Sequence, residues 1–368
     1  MKLYEYMGKD LFSQYGIPVP RGKVAKSPED AAEITAEIGD SVIKSQILSG
    51  KRGKAGGIKF TKEPEEAREF AAALLGSKLI GMPVEALLVE EKLTTDKEYY
   101  VAITIDGKRR CPVVLASVRG GMDIEEVPEE HMVRYHISYK TEMMPFEARE
   151  ITRLMHLHGW EQEQVQNVLI KLYRMFVDLD AELLEINPLV ASGDRIIAAD
   201  AKVTIDDEAL FRHPEIPFVE ERTEWEKRAH ALGLAYVELD GNIGVMANGA
   251  GITMATLDTL QHYGGAAANF LDAGGGAGEE ATAKALELIL AKDPKAILIN
   301  IFGGITRCDD VANAFVTVKK KMGIPVPVVI RLVGTNQEKG RQILKDAGIE
   351  TFETMHEAAE KAVSLATQ

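Results

Sequence analysis

Glycines and cations are concentrated in one stretch directly after the apolar residues 41–43. The stretch runs from Lys44 to Gly57 as KSQILSGKRGKAGG and contains four glycines and four basic residues, with Lys59 just beyond it. A glycine-rich turn lets backbone N–H groups approach an anion closely, and basic side chains neutralise that anion. The pattern therefore predicts a phosphate-binding turn. A solvated basic loop explains the motif alone equally well, because neither G-x-x-x-x-G-K-[ST] nor G-x-G-x-x-G is present.

A second group of polar residues has the chemistry of a cation site. Apolar strand signals over residues 183–202, on both sides of the turn Gly193-Asp194, predict a β-hairpin that brings Asn187 and Asp200 close together. Amide and carboxylate oxygens suit Mg²⁺, which keeps several waters and bridges nucleotide phosphates. A buried polar pair within the hairpin is an equally good explanation of the spacing.

Carboxylates also lie where an apolar strand signal ends. Glu90 and Glu91 follow the apolar residues 86–89, and Glu98 precedes the next strand signal. A carboxylate at a strand end could accept hydrogen bonds from a ribose or from a base amino group. Solvation at the surface explains these acids as well, so alone they say little.

The first half of the chain mixes helix and strand signals in irregular order. An N-terminal amphipathic helix ends at Gly16, and a capped helix begins after Ser27. A helical pattern over residues 147–177 contains His156 and His158. Their spacing of two does not place them on one helix face, so we expect surface side chains and no metal site.

The second half alternates strands and helices. A polar, proline-marked linker signal over residues 206–224 precedes it, which predicts two domains, residues 1–225 and 226–368. Short apolar strands that alternate with helices indicate a doubly wound parallel sheet with ligands at the carboxyl ends of its strands. The five strand signals are residues 243–247, 268–271, 296–302, 326–332 and 349–352.

Glycines follow three of these strands. Because the carboxyl ends of parallel strands share one edge of the sheet, we expect a ligand site there. The first loop leads into a helix over residues 252–262, whose N-terminus would hold an anion. Thr335 and Thr354 each begin a capping box, which predicts a helix start at both places. The three loops are residues 248–251, 272–276 and 303–306.

A dinucleotide-binding fold is the main alternative for this half. Gly249 and Gly251 follow a strand, and Asp272 lies at a suitable distance further along the chain. Met254, however, occupies the position of the third glycine of the dinucleotide fingerprint. The alternative is therefore disfavoured.

Composition excludes several classes of function. The chain has 368 residues and a formal net charge of −14, which opposes binding to the phosphate backbone of nucleic acids. Its two cysteines, Cys111 and Cys308, lack the spacing of a disulfide framework or a zinc site. The sequence shows neither the apolar core of a signal peptide nor an apolar run long enough to span a bilayer. We therefore expect a cytoplasmic protein with no nucleic-acid or membrane partner.

Six motifs, in one order along nearly the whole chain, resemble the β subunit of succinyl-CoA synthetase, or succinate–CoA ligase, of the ADP-forming type. The resemblance implies an N-terminal ATP-grasp fold and a C-terminal flavodoxin-like CoA-ligase domain. The motifs are residues 50–57, EINPL at 185–189, LDGNI at 239–243, NGAG at 248–251, NFLD at 269–272 and NIFGGI at 300–305.

The resemblance implies roles for particular residues of both halves. Asn187 and Asp200 match the ligands of Mg²⁺, and Glu185 matches a carboxylate near the histidine loop of a partner subunit. It places Lys44, Lys51, Arg52 and Gly53 at the phosphates of the nucleotide. Around the base and ribose it places Glu90, Leu93 and Glu98. The residues that match contacts to the carboxylate substrate are Asn248, Gly304, Ile305 and Thr306.

The resemblance also implies a partner. In the family, ATP phosphorylates a histidine, the phosphoryl group passes to succinate, and CoA attacks the acyl phosphate to give the thioester. That histidine belongs to the α subunit, which also binds most of the CoA. None of the eight histidines of this sequence lies in a glycine-rich loop. The chain should therefore be half of a heteromeric enzyme that uses Mg²⁺ with ATP or ADP, and Glu185 would fix the tautomer of the partner's imidazole.

Four residues depart from the family pattern. Lys51 replaces a usual glycine, Leu48 a common histidine, and Val333 a usual glutamate. Thr306 replaces a common valine, and its hydroxyl could bond a 2-hydroxyl of a substrate such as malate. A threonine that merely faces solvent explains the change as well. Two alternatives therefore stay open, namely the corresponding subunit of a malate–CoA or citrate–CoA ligase, and a non-catalytic, regulatory nucleotide-binding subunit.

Overall fold

The architecture was analysed in a computed structural model, which describes residues 1–50, 52–138, 142–274 and 279–367. The chain divides into two compact units, Met1–Glu221 and Arg222–Gln368. The division falls within the polar, proline-marked segment that follows the last strand of the first unit.

The first unit is built on two antiparallel sheets. Its helices are α1 (Glu5–Gln14), α2 (Pro28–Ile38), α3 (Pro64–Leu74), α4 (Pro145–Leu154) and α5 (Gly159–Asp178), with short 3₁₀ turns at Ile124–Glu126, Glu129–His131 and Asp207–Arg212. Its strands are β1 (Gly22–Ala25), β2 (Ser41–Ser45), β3 (Ile58–Thr61), β4 (Lys78–Leu79), β5 (Met82–Pro83), β6 (Leu87–Glu91), β7 (Lys97–Asp106), β8 (Cys111–Ser117), β9 (Val133–His136), β10 (Ala181–Ser192), β11 (Arg195–Ala198) and β12 (Lys202–Ile205).

Strand pairing connects these elements. The smaller sheet has the order β1-β6-β2-β3, and the larger has the order β11-β10-β7-β8-β9, with β12 also paired to β10. Strands β4 and β5 form a separate small hairpin. Phe12 of α1, Leu172 of α5 and Ile186 of β10 are fully buried in one apolar cluster. Burial of this apolar area holds α1 against the larger sheet.

Two predictions for this unit need correction. The helical pattern over residues 147–177 is two helices, α4 and α5, because His156 and Gly159 adopt φ values of 58° and 61° that no α-helix continues through. The side chains of His156 and His158 are exposed, as predicted. The strand predicted over residues 195–202 is also interrupted, since β11 ends at Ala198 and β12 begins at Lys202.

The interruption affects the predicted cation site. Both strands pair with β10, where Ala198 lies opposite Leu189 and Lys202 lies opposite Glu185. This register places Asp200 opposite Asn187, in a gap of the hydrogen-bond ladder rather than within a strand. The gap leaves the Asp200 side chain accessible from one side.

The second unit is a doubly wound sheet. Its helices are α6 (Glu224–Ala231), α7 (Ala250–His262), α8 (Glu279–Leu290), α9 (Cys308–Met322), α10 (Gln337–Asp346) and α11 (Met355–Ala366). Its strands are β13 (Ala235–Glu238), β14 (Ile243–Ala247), β15 (Asn269–Asp272), β16 (Ala296–Gly303), β17 (Val328–Gly334) and β18 (Thr351–Phe352). Strands β14 to β18 run parallel in the order β15-β14-β16-β17-β18, which confirms the flavodoxin-like prediction.

Two details of this unit differ from the sequence-based expectations. Strand β13, which was not predicted, covers one edge of the sheet by antiparallel pairing with β15. The capping box predicted at Thr354 is confirmed, but the one at Thr335 is wrong. Helix α10 begins one residue later, at N-cap Asn336, because the Thr335 hydroxyl instead donates to the carbonyl oxygen of Gly304 at 2.8 Å. Across the described residues, every helix is too short or too polar to cross a bilayer.

Replacing Gly334 with alanine should destabilise the second unit. Gly334 has a φ of 120°, and a Cβ atom there would lie 2.1 Å from the carbonyl oxygen of Gly303, its register partner on β16. Gly348→Ala is the matched control, since its φ of 73° is also positive but a Cβ atom meets no described atom within 4 Å. We expect the control to lower the free energy of unfolding by about 1–2 kcal/mol and Gly334→Ala to lower it by more, measured by urea denaturation. Equal losses would contradict the predicted clash.

Candidate functional site

The cation that begins the glycine-rich stretch is buried and fully paired. Lys44 lies in β2, between β3 and β6. Its Nζ atom lies 2.9 Å from a carboxylate oxygen of Glu5 and 2.9 Å from one of Glu90, and it donates to the carbonyl oxygen of Ala199 at 2.7 Å. An ammonium group has three donors. These three contacts therefore account for all of them.

Arg52 brings a second cation to the same place. Its Nη1 atom donates to the carbonyl oxygen of Ser45 at 3.2 Å. Its Nη2 atom lies 2.7 Å from a carboxylate oxygen of Glu5 and 3.0 Å from Oδ1 of Asp200. The guanidinium is buried. Glu5 is thus a shared partner of Lys44 and Arg52.

The glycine-rich turn closes tightly around Arg52. The N–H of Gly57 donates to the carbonyl oxygen of Arg52 at 2.9 Å, and a Cβ atom at Gly57 would lie 2.4 Å from Cδ2 of Leu79. This close approach explains why a glycine stands at that position. Gly53 is exposed at the surface of the turn, whereas Lys51 lies outside the described residues.

Helix α1 contributes an acid and a base that sequence reasoning missed. Lys9 bonds both oxygens of Glu90, at 2.7 and 2.6 Å, lies 2.9 Å from Glu5 and donates to the Ala199 carbonyl oxygen at 2.8 Å. Glu5 and Lys9 are four residues apart and share a helix face. We name the set formed by Glu5, Lys9, Lys44, Arg52, Glu90 and Asp200 the charge cluster.

Exposure rises across the charge cluster in one direction. The Glu5 and Glu90 side chains are each 2% exposed, whereas that of Asp200 is 38% exposed, so the cluster opens to solvent at Asp200. Burial opposes ionisation of Glu5, but the three neighbouring cations hold its pKa well below the usual range. Burial and the repulsion of Glu5 raise the pKa of Asp200 to about 6.

Asp200 and Asn187 offer oxygen ligands for a divalent cation. Asp200 receives its hydrogen bonds at Oδ1, and Asn187 Oδ1 accepts one from the N–H of Gly121 at 2.8 Å. An amide oxygen has a second lone pair. Two protein oxygens completed by water and phosphate suit Mg²⁺. Within the described ranges, no three His, Cys, Asp or Glu side chains are grouped as metal ligands, so the pair fits a shared cation rather than an all-protein cage.

The loop that contains Gly120 and Gly121 connects Asn187 with Glu98. The N–H of Gly120 donates to the carbonyl oxygen of Glu98 at 3.0 Å, and a Cβ atom at Gly121 would lie 2.1 Å from Oε2 of Glu98. Gly121 is also the donor to Asn187. The structure therefore brings Glu98 and Asn187 to the same glycine loop, and Leu93 is half-buried in the segment before β7.

The other acids of this unit lie in different surroundings. Surface solvation is the wrong explanation for Glu90, which is buried among cations, but it suits Glu91, which pairs with the exposed Arg21 at 2.9 Å. Glu185 lies in β10 opposite Lys202, and its carboxylate is 3.5 Å from the Lys202 ammonium.

In the second unit, Asn248 links the carboxyl ends of β14 and β16. Its Oδ1 atom accepts the N–H of Phe302 at 2.9 Å, and its Nδ2 atom donates to the Phe302 carbonyl oxygen at 2.9 Å. Asp272, at the end of β15, accepts the N–H groups of Gly249 and Gly274 at 2.5 and 2.8 Å. Asp272 thus orders the loops rather than standing free for a ribose. Residues 275 and 276 of the loop 272–276 lie outside the described residues.

Thr335, which precedes the N-cap residue of α10, holds the loop after β16. Thr335 donates through its N–H to the carbonyl oxygen of Gly303 at 2.8 Å and through its hydroxyl to that of Gly304 at 2.8 Å. The Ile305 side chain is 86% exposed, whereas Thr306 is only 2% exposed. The explanation that Thr306 faces solvent is therefore wrong.

Two family models match the chain in order. The model described as an ATP-grasp domain matches residues 2–191, and the model described as CoA-ligase matches residues 246–365. These matches confirm the predicted fold class of both halves.

Curated relatives match over the whole length. The succinate–CoA ligase [ADP-forming] subunit beta of Methanothermobacter thermautotrophicus is 46% identical over 371 residues, with 100% of this chain and 99% of the relative covered. The subunits of the same name from Roseiflexus sp. and Aquifex aeolicus are 44% and 43% identical, each with 100% of this chain covered and with 99% and 100% of the relative covered.

A solved structure agrees in fold. The ATP citrate lyase from Methanothrix soehngenii, in complex with citrate and coenzyme A, aligns with a TM-score of 0.69 at 20% identity, over 99% of both chains. This likeness shows the fold alone. The full-length relatives show that the chain belongs to the family of ADP-forming succinate–CoA ligase β subunits.

Proposed function

We propose that this chain, a member of that β-subunit family, binds Mg-ATP through its first unit and the acid through its second. ATP phosphorylates a histidine of a partner α subunit, and the phosphoryl group passes from that histidine to succinate. CoA then attacks the acyl phosphate. The net reaction interconverts succinate, CoA and ATP with succinyl-CoA, ADP and phosphate.

The observation that carries the nucleotide assignment is the convergence of Lys44 and Arg52 on one partly open cluster. Cations whose side chains are held by buried carboxylates are oriented before an anion arrives. The exposed Gly53 belongs to the same turn, so its backbone would contribute to a phosphate site. Glu98 and Leu93 would then contact the base and ribose, and Lys51 would add charge to the turn. Glu90, which the resemblance placed with Glu98, is instead bonded to Lys9 and Lys44.

Asn187 and Asp200 would hold Mg²⁺. Bound there, the ion would neutralise phosphate charge and orient the nucleotide. Asn187 is prepared for this role, because its amide is fixed by the N–H of Gly121 and by the carbonyl oxygen of Met122 at 2.9 Å. Asp200 is the most exposed member of the charge cluster. The two ligands therefore lie on the side from which a nucleotide would enter.

The phosphoryl acceptor should come from a partner subunit. The histidines of this chain are His131, His136, His156, His158, His213, His230, His262 and His356, and none lies in the glycine-rich stretches. His213 and His136 are bonded to Asp180 and Asp106 at 2.8 and 2.7 Å, as structural histidines are. We infer an α subunit that carries the phosphohistidine and most of the contacts to CoA, in the cytoplasm.

Glu185 is proposed to orient the imidazole of that partner. Its carboxylate has only a 3.5 Å contact to Lys202, the limit of a hydrogen bond, and so exchanges this partner at little cost. A carboxylate bonded to one ring nitrogen fixes the tautomer and stabilises the charged ring while the other nitrogen carries phosphate.

Asn248 and the loop of Gly304, Ile305 and Thr306 are proposed to bind the acid. They lie at the carboxyl ends of β14 and β16, where the strand order of the sheet reverses. Ligands of open α/β sheets bind at such a switch point. The two hydrogen bonds between Asn248 and Phe302 hold this edge in shape.

Labelled ATP tests the proposed reaction. The chain should be co-expressed with its α-type partner and incubated with Mg²⁺ and γ-labelled ATP. We expect an acid-labile, base-stable phosphoryl group on the partner, which succinate plus CoA discharges. Label on this chain would contradict the role given to its histidines, and absence of label on both chains would favour the regulatory alternative. A comparison of the turnover of succinate, malate and citrate by the same complex tests which acid is the substrate.

Asp200→Asn should weaken the use of Mg-ATP far more than assembly with the partner. The amide loses the charge that attracts the cation, so the KM for Mg-ATP should rise by about tenfold or more. Asp194→Asn, an exposed change at the turn of the same hairpin, is the control. The measurement is steady-state kinetics with gel filtration of the complex. Parallel loss of assembly and ATP use would show that Asp200 is structural.

Asn248→Ala should raise the KM for the acid and leave that for ATP unchanged. The change removes the amide and both of its bonds to Phe302, so the edge of the acid site loosens. We expect a rise of about tenfold. Alanine at the exposed Asn242, which precedes the other end of β14, should leave both constants unchanged. An unaltered KM for the acid would refute the assignment of Asn248.

A further inference from the structure

Glu5 of helix α1 is the common partner of three cations. Its Oε1 atom lies 2.9 Å from the ammonium groups of Lys9 and Lys44, and its Oε2 atom lies 2.7 Å from the guanidinium of Arg52. Lys44 lies on β2, and Arg52 lies within the glycine-rich turn that follows this strand. Glu5 therefore determines the separation of the two side chains that are proposed to meet the phosphates.

The backbone of α1 is also fixed relative to β2. The N–H of Tyr6 donates to Oε1 of Gln46 at 3.1 Å, and Nε2 of Gln46 donates to the carbonyl oxygen of Lys44 at 3.1 Å. Gln46 directly follows β2. Hydrogen bonds through Gln46 thus connect the helix that carries Glu5 to the strand that carries Lys44, and they hold Glu5 next to the cations.

The donors of the two cations are occupied to different extents. All three donors of Lys44 have partners, whereas among the described residues Arg52 bonds through two of its three nitrogens. A phosphate can therefore join Arg52 directly, but it must replace one partner of Lys44. Lys44 can release Glu90 without leaving that carboxylate unpaired, because Lys9 continues to bond both of its oxygens.

We propose that Glu5 is a positioning residue of the nucleotide site, which keeps Lys44 and Arg52 aimed at the phosphates while Lys44 exchanges Glu90 for the nucleotide. This inference rests on the proposed function, since it concerns the same ATP site. Glu5 stays in place when a phosphate binds in this proposal, because three cations and the amide of Gln46 contact it, whereas the contacts of Glu90 are to Lys9 and Lys44.

Two substitutions of Glu5 test the proposal in the complex with the α-type partner. In Glu5→Gln an amide group replaces a charged oxygen and cannot accept from all three cations. In Glu5→Asp the charge is kept but the reach is shortened. We expect both to raise the Kd for a fluorescent ATP analogue, and the KM for ATP, by about tenfold. The KM for succinate and for CoA should stay within about twofold.

Asp10→Asn is the matched control. It removes one negative charge from the same helix, but Asp10 is exposed and lies outside the charge cluster. We expect its Kd for the analogue to equal that of the unchanged chain. If the Glu5→Gln chain does not assemble with the α-type partner, the Kd of the Glu5→Asp complex for the ATP analogue decides the test. Proportional rises in every KM, an unchanged Kd, or tighter ATP binding would each overturn the proposal, the last by showing that Glu5 competes with phosphate.

The two proposals fail in different ways. The binding measurement needs neither acid nor CoA. A complex that binds the analogue but forms no succinyl-CoA would overturn the proposed reaction and leave the test of Glu5 intact. A complex that forms succinyl-CoA with an unchanged ATP Kd in both Glu5 variants would support the reaction and refute the role of Glu5.

Discussion

Burial of charge is the constraint on which the first unit depends. Breaking a buried ion pair by removing one partner costs about 3–5 kcal/mol, so each member of the charge cluster must stay within reach of the others. The members come from α1, β2, the glycine-rich turn, β6 and the gap between β11 and β12. A shift of any one segment would leave a charge unpaired. The cluster thus holds five separate segments in one arrangement.

In the second unit, hydrogen bonds to backbone groups hold the described candidate loops, and the buried carboxylate of Asp309 nearby pairs with the exposed Arg307 and Lys339. The amide of Asn248 and the N–H and hydroxyl of Thr335 bond to backbone groups of residues 302–304. Gly334 lies against Gly303 so closely that no side chain fits between them. Neutral hydrogen bonds and close backbone contact hold such a loop in one conformation without an excess of charge.

Local signals predicted much of this architecture. The order of strands and helices after residue 243, the capping boxes at Ser27 and Thr354, and the glycine-rich turn all depend on residues within a few positions of each other. The misses have non-local causes. Thr335 does not cap α10 because its hydroxyl bonds to Gly304, on a different loop. No local pattern gave Glu5 and Lys9 a role, since their partners Lys44 and Glu90 lie 39 and 81 residues further along the chain.

The charge count of the cluster explains why α1 contributes an acid and a base together. Without α1, the cations Lys44 and Arg52 face the carboxylates of Glu90 and Asp200, so the formal sum is zero. Glu5 and Lys9 add one charge of each sign, and the sum stays zero. The helix therefore leaves the net attraction for an anion unchanged and alters only where the cations stand. In the proposed site an incoming phosphate would meet donors that are already oriented, and Glu90, if released from Lys44, would remain paired with Lys9. Under the proposed function, specificity of this cluster for a phosphate would come from geometry rather than from an excess of positive charge.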